Sequence, residues 1–334
     1  MLTAARSPPI RVESDQMMGP WRGCLAAIVA LAGCGTRSLT GGGDGGVPLC
    51  PLDDLNCLGL VGGHVAAGET HSCALQTDGT VVCWGSNASG ESTPPAGSFV
   101  QLAAGTGQTC GVRSDGTIAC WGRGYDGHLA TAIGESFTAP PGTFLQVALS
   151  RKVGEDQHAC ALRLDGEILC WQECSEGQCQ PPSGPFKQVA AGQGYTCGLR
   201  PSGAIACWGR NDDGQASPPS GAFKQIAAGD FHNCAVRTDD TVACWPRGFG
   251  ADTEPPAGTF KQVAAGAQFT CGVRTDDTLA GWLTVGLSDI PPPPGGTFLE
   301  VAAGDSHACA RQTDGRLVCW GHDGDGQSTP PPGP

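Results

Sequence analysis

Val65-Ala-Ala-Gly68-Glu-Thr-His71-Ser-Cys73-Ala-Leu-Gln-Thr-Asp78-Gly79-Thr-Val-Val-Cys83-Trp84-Gly85 is one of seven copies of a single unit. Aligned on its cysteines and the tryptophan that follows, the unit recurs at Cys73/Cys83/Trp84, Cys110/Cys120/Trp121, Cys160/Cys170/Trp171 and Cys197/Cys207/Trp208. It continues at Cys234/Cys244/Trp245, Cys271/Gly281/Trp282 and Cys309/Cys319/Trp320. Successive first cysteines stand 37, 50, 37, 37, 37 and 38 residues apart. Self-similarity at such a period marks a solenoid, a propeller or an array.

The unit has a local structure that can be worked out. Val-Ala-Ala-Gly predicts a short buried strand closed by glycine at Gly68, Gly105, Gly192, Gly229, Gly266 and Gly304, with Ser150 in the third copy. Thr77-Asp78-Gly79 fits a three-residue hairpin loop with glycine in the left-handed position. That register sets Cys73 opposite Cys83 at a non-hydrogen-bonded pair, where Cα atoms approach to about 4.5 Å. This is the lower edge of disulfide range. Asp240 and Asp277 replace the loop glycine in copies five and six, and Asp tolerates the same backbone. Both hairpin faces are apolar: Cys73, Leu75, Val81 and Cys83 on one, Ala74, Val82 and Trp84 on the other. A sheet buried on both faces inside a repeat array is a propeller blade between two neighbours. Pro94-Pro95, Pro140-Pro141, Pro181-Pro182, Pro218-Pro219 and Pro255-Pro256 follow. Proline cannot donate to a ladder, so this segment is expected as a ragged outermost strand. The expectation is an all-β, seven-bladed β-propeller of about 37-residue repeats, with three to four short antiparallel strands per blade.

Composition agrees. With 53 Gly, 26 Pro and only 15% charged residues among 334, the chain is no long-helix or coiled-coil protein. With 40% apolar residues and evenly spread Trp, it is not a disordered one either.

Val-Ala-Ala-Gly-x-x-His-x-Cys-Ala-Leu-x-x-Asp-Gly-x-Val-x-Cys-Trp-Gly resembles the repeat core of the regulator of chromosome condensation family, over about residues 62–334. The short unit is closer to the family's bacterial members, among them a β-lactamase inhibitory protein, than to the eukaryotic exchange factor. The resemblance implies a seven-bladed β-propeller. It implies no single function, since members serve in nucleotide exchange, inhibition, photoreception and scaffolding.

The N-terminal region reads as an address. An apolar stretch over residues 24–33, too short to span a bilayer, ends in Leu31-Ala32-Gly33-Cys34. This is similar to a bacterial lipobox, in which Cys34 would be lipidated and become the mature N-terminus. Residues 1–16 do not suit a signal n-region, which points to Met17 or Met18 as the start. The expected organisation is a signal peptide over 1–34, a Gly-rich tether over 35–61 and the propeller over 62–334.

Cysteine pairing supports export. Of 19 Cys, Cys24 belongs to the signal and Cys34 to the lipid site. The remainder fit six hairpin pairs, Cys73–Cys83, Cys110–Cys120, Cys160–Cys170, Cys197–Cys207, Cys234–Cys244 and Cys309–Cys319, plus Cys50–Cys57 and Cys174–Cys179. Only Cys271 is left over, opposite Gly281. Such pairing suits an oxidising compartment, and no Cys/His spacing suits a metal.

Chemistry is harder to find. His71, His158, His232 and His307 recur two residues before a first Cys, so they read as a repeat feature, not as catalytic residues. The seven repeat Trp read as inter-blade packing. Asn211–Gly214 and Asp323–Gly326 read as turns. No G-x-S-x-G, H-E-x-x-H or phosphate loop occurs, and no cofactor, metal or catalytic residue is expected. From residue 35 onward, 16 Lys+Arg stand against 30 Asp+Glu, a net charge of −14, which disfavours nucleic acid.

Insertions single out one sector. Copy two carries eight extra residues after Trp121, and copy three carries five extra before His158 and the Cys174/Cys179 loop after Trp171. With the first strand of each blade running upward, these fall on the top face of neighbouring blades. The candidate binding face is Arg123, Tyr125, His128, Arg151, Lys152, Glu155, Asp156, Glu173 and Glu176. The expected function is that of a lipid-anchored extracytoplasmic binding or scaffold module for a protein or glycan partner, in the cell envelope, at the outer membrane or cell surface. The alternative is a secreted inhibitor of an extracellular enzyme. A propeller hydrolase or lyase would need a non-repeating polar cluster around the central channel, and the sequence displays none. Replacing Cys34→Ser is predicted to abolish labelled-palmitate incorporation and release the protein from membranes; unchanged labelling would refute the anchor.

Overall fold

The structure is a computed structural model and describes residues 64–123, 139–151, 157–246, 254–267, 269–283 and 291–332. The expected signal peptide, lipidation site Cys34, tether and Cys50–Cys57 pair lie outside the described residues. All described residues belong to one unit, Leu49–Pro334.

Seven three-stranded antiparallel sheets follow one another along the chain, each made of three consecutive strands. In blade one these are Val65–Ala67, His71–Leu75 and Val81–Gly85; in blade two, Phe99–Ala104, Gln108–Arg113 and Ile118–Gly122. Inner strands touch one another all the way round, and the seventh, Phe298–Ala303, meets the first, Val65–Ala67. They line the central channel. The middle strands are almost wholly buried, which is why their residues are apolar on both faces.

The hairpin register is the one the loop dictates: Cys73 pairs with Cys83 and Ser72 with Trp84. Gly79 has φ 80°, and Asp240 and Asp277 take φ 70° and 69° in its place. All six hairpin disulfides are formed, with Cα atoms 4.0–4.1 Å apart, closer than the spacing of an unlinked pair. Cys174–Cys179 is the seventh. The proline-rich segment forms no strand among the described residues. Its carbonyls are taken instead by arginines that also lie over the phenylalanine opening the next inner strand. Arg113 donates to Ala96 O at 2.9 Å and sits 4.9 Å from the Phe99 ring centre; Arg274 does the same with Ala257 and Phe260.

Blades are joined at the channel by glutamines. Gln101 accepts from Val147 N at 2.9 Å and donates to Val147 O at 3.0 Å. Gln188 does so with Ile226, Gln225 with Val263 and Gln262 with Val301. Above them the rim glycines fit because they lack a Cβ. One built on Gly68 would lie 2.4 Å from Gly105 O, on Gly105 2.6 Å from Ser150 O, on Gly229 2.3 Å from Gly266 O, and on Gly304 2.3 Å from Gly68 O. At the last interface Glu300 replaces the glutamine. It accepts from His64 N at 3.3 Å and pairs with Arg311, which also donates to Leu75 O at 2.7 Å.

Blade six departs from the others. Cys271 lies opposite Gly281, is buried and is free, and burial pushes its thiol up to about 12. It is predicted to resist thiol reagents in the native protein and to react once in denaturant. Gly281→Cys should close a further disulfide worth about 2–3 kcal/mol and raise the thermal midpoint. The new Cβ meets Pro293 Cγ at 3.0 Å, so that ring must yield slightly. Two free thiols persisting in air would contradict this.

Candidate functional site at the channel mouth

The polar residues before each first cysteine form a clasp between blades. His71 Nε2 lies 2.7 Å from Thr109 Oγ1, and Thr109 Oγ1 is 3.1 Å from Glu91 O. The carbonyl can only accept, so the threonine donates to it and accepts from the imidazole. His71 is therefore the Nε2–H tautomer. The same chain runs from His158 through Thr196 to Gln178 O, and across the ring closure from His307 through Ser72 to Gln327 O. Each carbonyl takes a second bond from the next blade's tryptophan: Trp121 to Glu91 O at 2.9 Å, Trp208 to Gln178 O at 2.7 Å, Trp245 to Gln215 O at 3.0 Å and Trp84 to Gln327 O at 2.9 Å. The recurring histidines and tryptophans thus hold blades together. The turns Asn211–Gly214 and Asp323–Gly326 present the carbonyl of the residue that follows. The Asp323 carboxylate is spent on Ser328 and Thr329.

The residue that follows Cys-Trp-x bonds to the rim connection of its own blade at Ser86, Arg123, Glu173, Arg210 and His322. Arg123 N bonds Gly107 O at 2.6 Å and Glu173 N bonds Gln157 O at 3.0 Å, placing both near the glycine rim, in neighbouring blades. Arg123 and Glu176 are exposed, and Arg151 and Glu173 are half-buried. Tyr125, His128, Lys152, Glu155 and Asp156 lie outside the described residues.

The structure gathers a cluster that the sequence reading did not find. The residue after each rim position is Glu69, Thr106, Arg151, Gln193, Asp230, Ala267 and Asp305. Their backbones run round the mouth, with Glu69 N on Gly105 O, Gln193 N on Asp230 O and Asp305 N on Gly68 O at 3.2–3.4 Å. Thr106 donates to Arg151 O. Arg151 crosses the channel from blade three and donates Nη1 to Ala265 O of blade six at 2.6 Å. Asp305 Oδ1 is buried with no hydrogen-bond partner among the described residues. Burial, and then neighbouring Asp230, push its carboxyl up to about 7 against the pull of Arg151. This is a non-repeating polar cluster at the channel. The repeat alignment hid it, because a position where seven copies disagree is written as a blank. The disagreement itself was the available signal.

Residues 64–91, 186–215, 223–245 and 298–327 match the regulator of chromosome condensation (RCC1) repeat. The propeller belongs to this repeat family. The matched RCC1 segments fall in blades one, four, five and seven; the unmatched blades carry the insertions or lack the cysteine pair. No curated protein matches the sequence. Among solved structures, the ectodomain of receptor kinase CR4 from Physcomitrella patens shares 24% identity, over 77% of this chain and 72% of that one, with a TM-score of 0.64. The ectodomain of receptor kinase ACR4 from Arabidopsis thaliana shares 26%, over 77% and 93%, with a TM-score of 0.63. Prp20p from Saccharomyces cerevisiae, described with its binding properties to Gsp1p and histones, shares 16%, over 79% and 83%, with a TM-score of 0.58.

The clasp histidines make the RCC1 ring acid-sensitive. Burial lowers His71 and His232 from 6.5 to about 4 and His307 to about 3. The unfolded chain therefore binds protons that the fold refuses as pH drops below 6.5, and stability falls until the folded values are reached. Asp305 acts oppositely: the fold keeps a proton that the unfolded chain loses above 3.8. Three uptakes against one release leave two protons, a predicted loss of about 3 kcal/mol per pH unit between about pH 6 and 4. Denaturant unfolding across that range measures it, and a flat profile would mean the histidines are not held neutral.

Proposed function

We propose that this chain is an extracytoplasmic, lipid-anchored binding module. It displays a protein- or glycan-recognition surface on the top face of blades two and three. The observation that carries this reading is the division of labour in the propeller. The histidines, tryptophans, glutamines and rim glycines are committed to joining blades. Read from the sequence, variation in length falls in the segments after Cys-Trp and after the third inner strand, next to Arg123 and Glu173, which bond to the rim side, and it includes the separately crosslinked Cys174–Cys179 loop. The disulfides favour an oxidising compartment. The likeness to receptor ectodomains is in keeping with a display role outside the cytoplasm. The net charge of −14 from residue 35 onward argues against a nucleic-acid partner.

The test is capture from outer-membrane and surface fractions with the mature protein, followed by the double variant Arg123→Glu, Glu176→Lys at two exposed positions. The variant is predicted to lose the captured partner by at least about tenfold while keeping its thermal midpoint, because surface substitutions away from packed features cost little stability. A partner retained by the variant would place recognition elsewhere. A second reading, inhibition of an extracellular enzyme, gains ground if the captured partner is an enzyme whose turnover stops on binding.

A further inference from the structure

The channel mouth holds two opposite charges that do not neutralise each other. Arg151 spends one N–H on the Ala265 carbonyl at 2.6 Å, and no carboxylate pairs with its guanidinium among the described residues. Asp305 keeps a buried Oδ1 without a partner among those residues. Arg151 lines a cavity of about 180 Å³ whose other walls come from the seven inner strands, and Asp305 follows by two residues the lining strand Phe298–Ala303. Its walls are Val, Ala, Leu and Ile side chains with glutamines, and Arg151 is its one charged lining residue. The glutamine amides are committed to neighbouring strands. The volume is below the roughly 300–1,000 Å³ of ordinary small-molecule pockets, so a guest has only a few heavy atoms.

A planar guanidinium with free donors suits a carboxylate. A sheltered carboxylate with a bare oxygen suits an ammonium group. Aliphatic walls suit a short hydrocarbon. We propose that the channel mouth binds a small zwitterion of amino-acid size, with its carboxylate on Arg151, its ammonium on Asp305 and its aliphatic chain in the channel. The site shares Arg151 with the candidate binding face read from the sequence, but not the exposed Arg123 and Glu176 that the partner test alters.

The two charges come from different blades, so the guest bridges blade three to blade seven. Asp230 of blade five and Glu69 of blade one lie close enough to raise the Asp305 carboxyl further, so among the described residues negative charge outnumbers positive around it. An arriving ammonium relieves that excess. Because the Asp305 carboxyl sits at about 7, binding at neutral pH would displace about half a proton into the buffer.

Calorimetry on the full-length protein tests the idea with L-valine, isobutylamine and isobutyrate as probes. Valine should bind at least tenfold more tightly than either single-charge analogue. Arg151→Gln and Asp305→Asn should each weaken valine at least tenfold. Arg151→Lys, which keeps the charge without the fork, should weaken it less and serves where Arg151→Gln does not fold. Titrations at pH 7 in two buffers of different ionisation enthalpy should show the proton release, absent in Asp305→Asn. Isobutylamine binding as tightly as valine would overturn the proposal. So would unchanged valine affinity in Asp305→Asn, or no heat from any probe at 10 mM.

Discussion

The ring depends on inner strands that bond to neighbours outside their own sheets. The inner strands splay apart like spokes, too far for a continuous backbone ladder, and the glutamine side chain spans the gap. Its amide offers one acceptor and one donor in the spacing of a peptide group. Gln101, Gln188, Gln225 and Gln262 each grip both backbone groups of a single residue in the next blade. Buried backbone groups left unpaired are costly, so these side chains do for the channel wall what a further strand would do in an open sheet. The outer clasp of histidine, threonine and tryptophan repeats the device at larger radius. Between them, blades that are individually too thin to fold each share a buried apolar cluster with the next blade.

Much of this was legible in the sequence, and the reason is redundancy. Seven copies turn each structural requirement into a column. The loop glycine, its aspartate substitutes and the cysteine register could be read because a single hairpin geometry explains all of them. The glutamines stand directly before the Val-Ala-Ala strand core, or its Ile and Leu variants, in several copies but are silent in role, since their partners lie one blade away and periodicity speaks only within a unit. The carbonyls after the Asn211 and Asp323 turns were missed for a related reason. The functional atom there is backbone, and no residue type announces it.

The channel mouth shows the complementary blind spot. Repeat averaging promotes what is common and discards what differs, so the framework is recovered and the chemistry is erased. Arg151 and Asp305 occupy equivalent positions in two blades and carry opposite charges. At a position whose backbone is fixed by its neighbours' close approach, the side chain is free to differ without disturbing the fold. In a symmetric scaffold, the positions that break symmetry are those to search first.

Every hairpin disulfide lies inside a blade, and none joins one blade to the next. The crosslinks therefore oppose stretching of a hairpin and leave the seams between blades to hydrogen bonds and packing. Under mechanical tension, such a ring would open at its seams and pay out chain in separate steps. In a blade repeating every 37 residues with a staple spanning 10, about 27 residues extend, roughly 90 Å per step. Blade six, with no staple, would give a longer step than its neighbours. The cysteine and insertion pattern thus sets a graded length under load, in which the 50-residue interval that begins at Cys110 and the unstapled blade six are the two longest links.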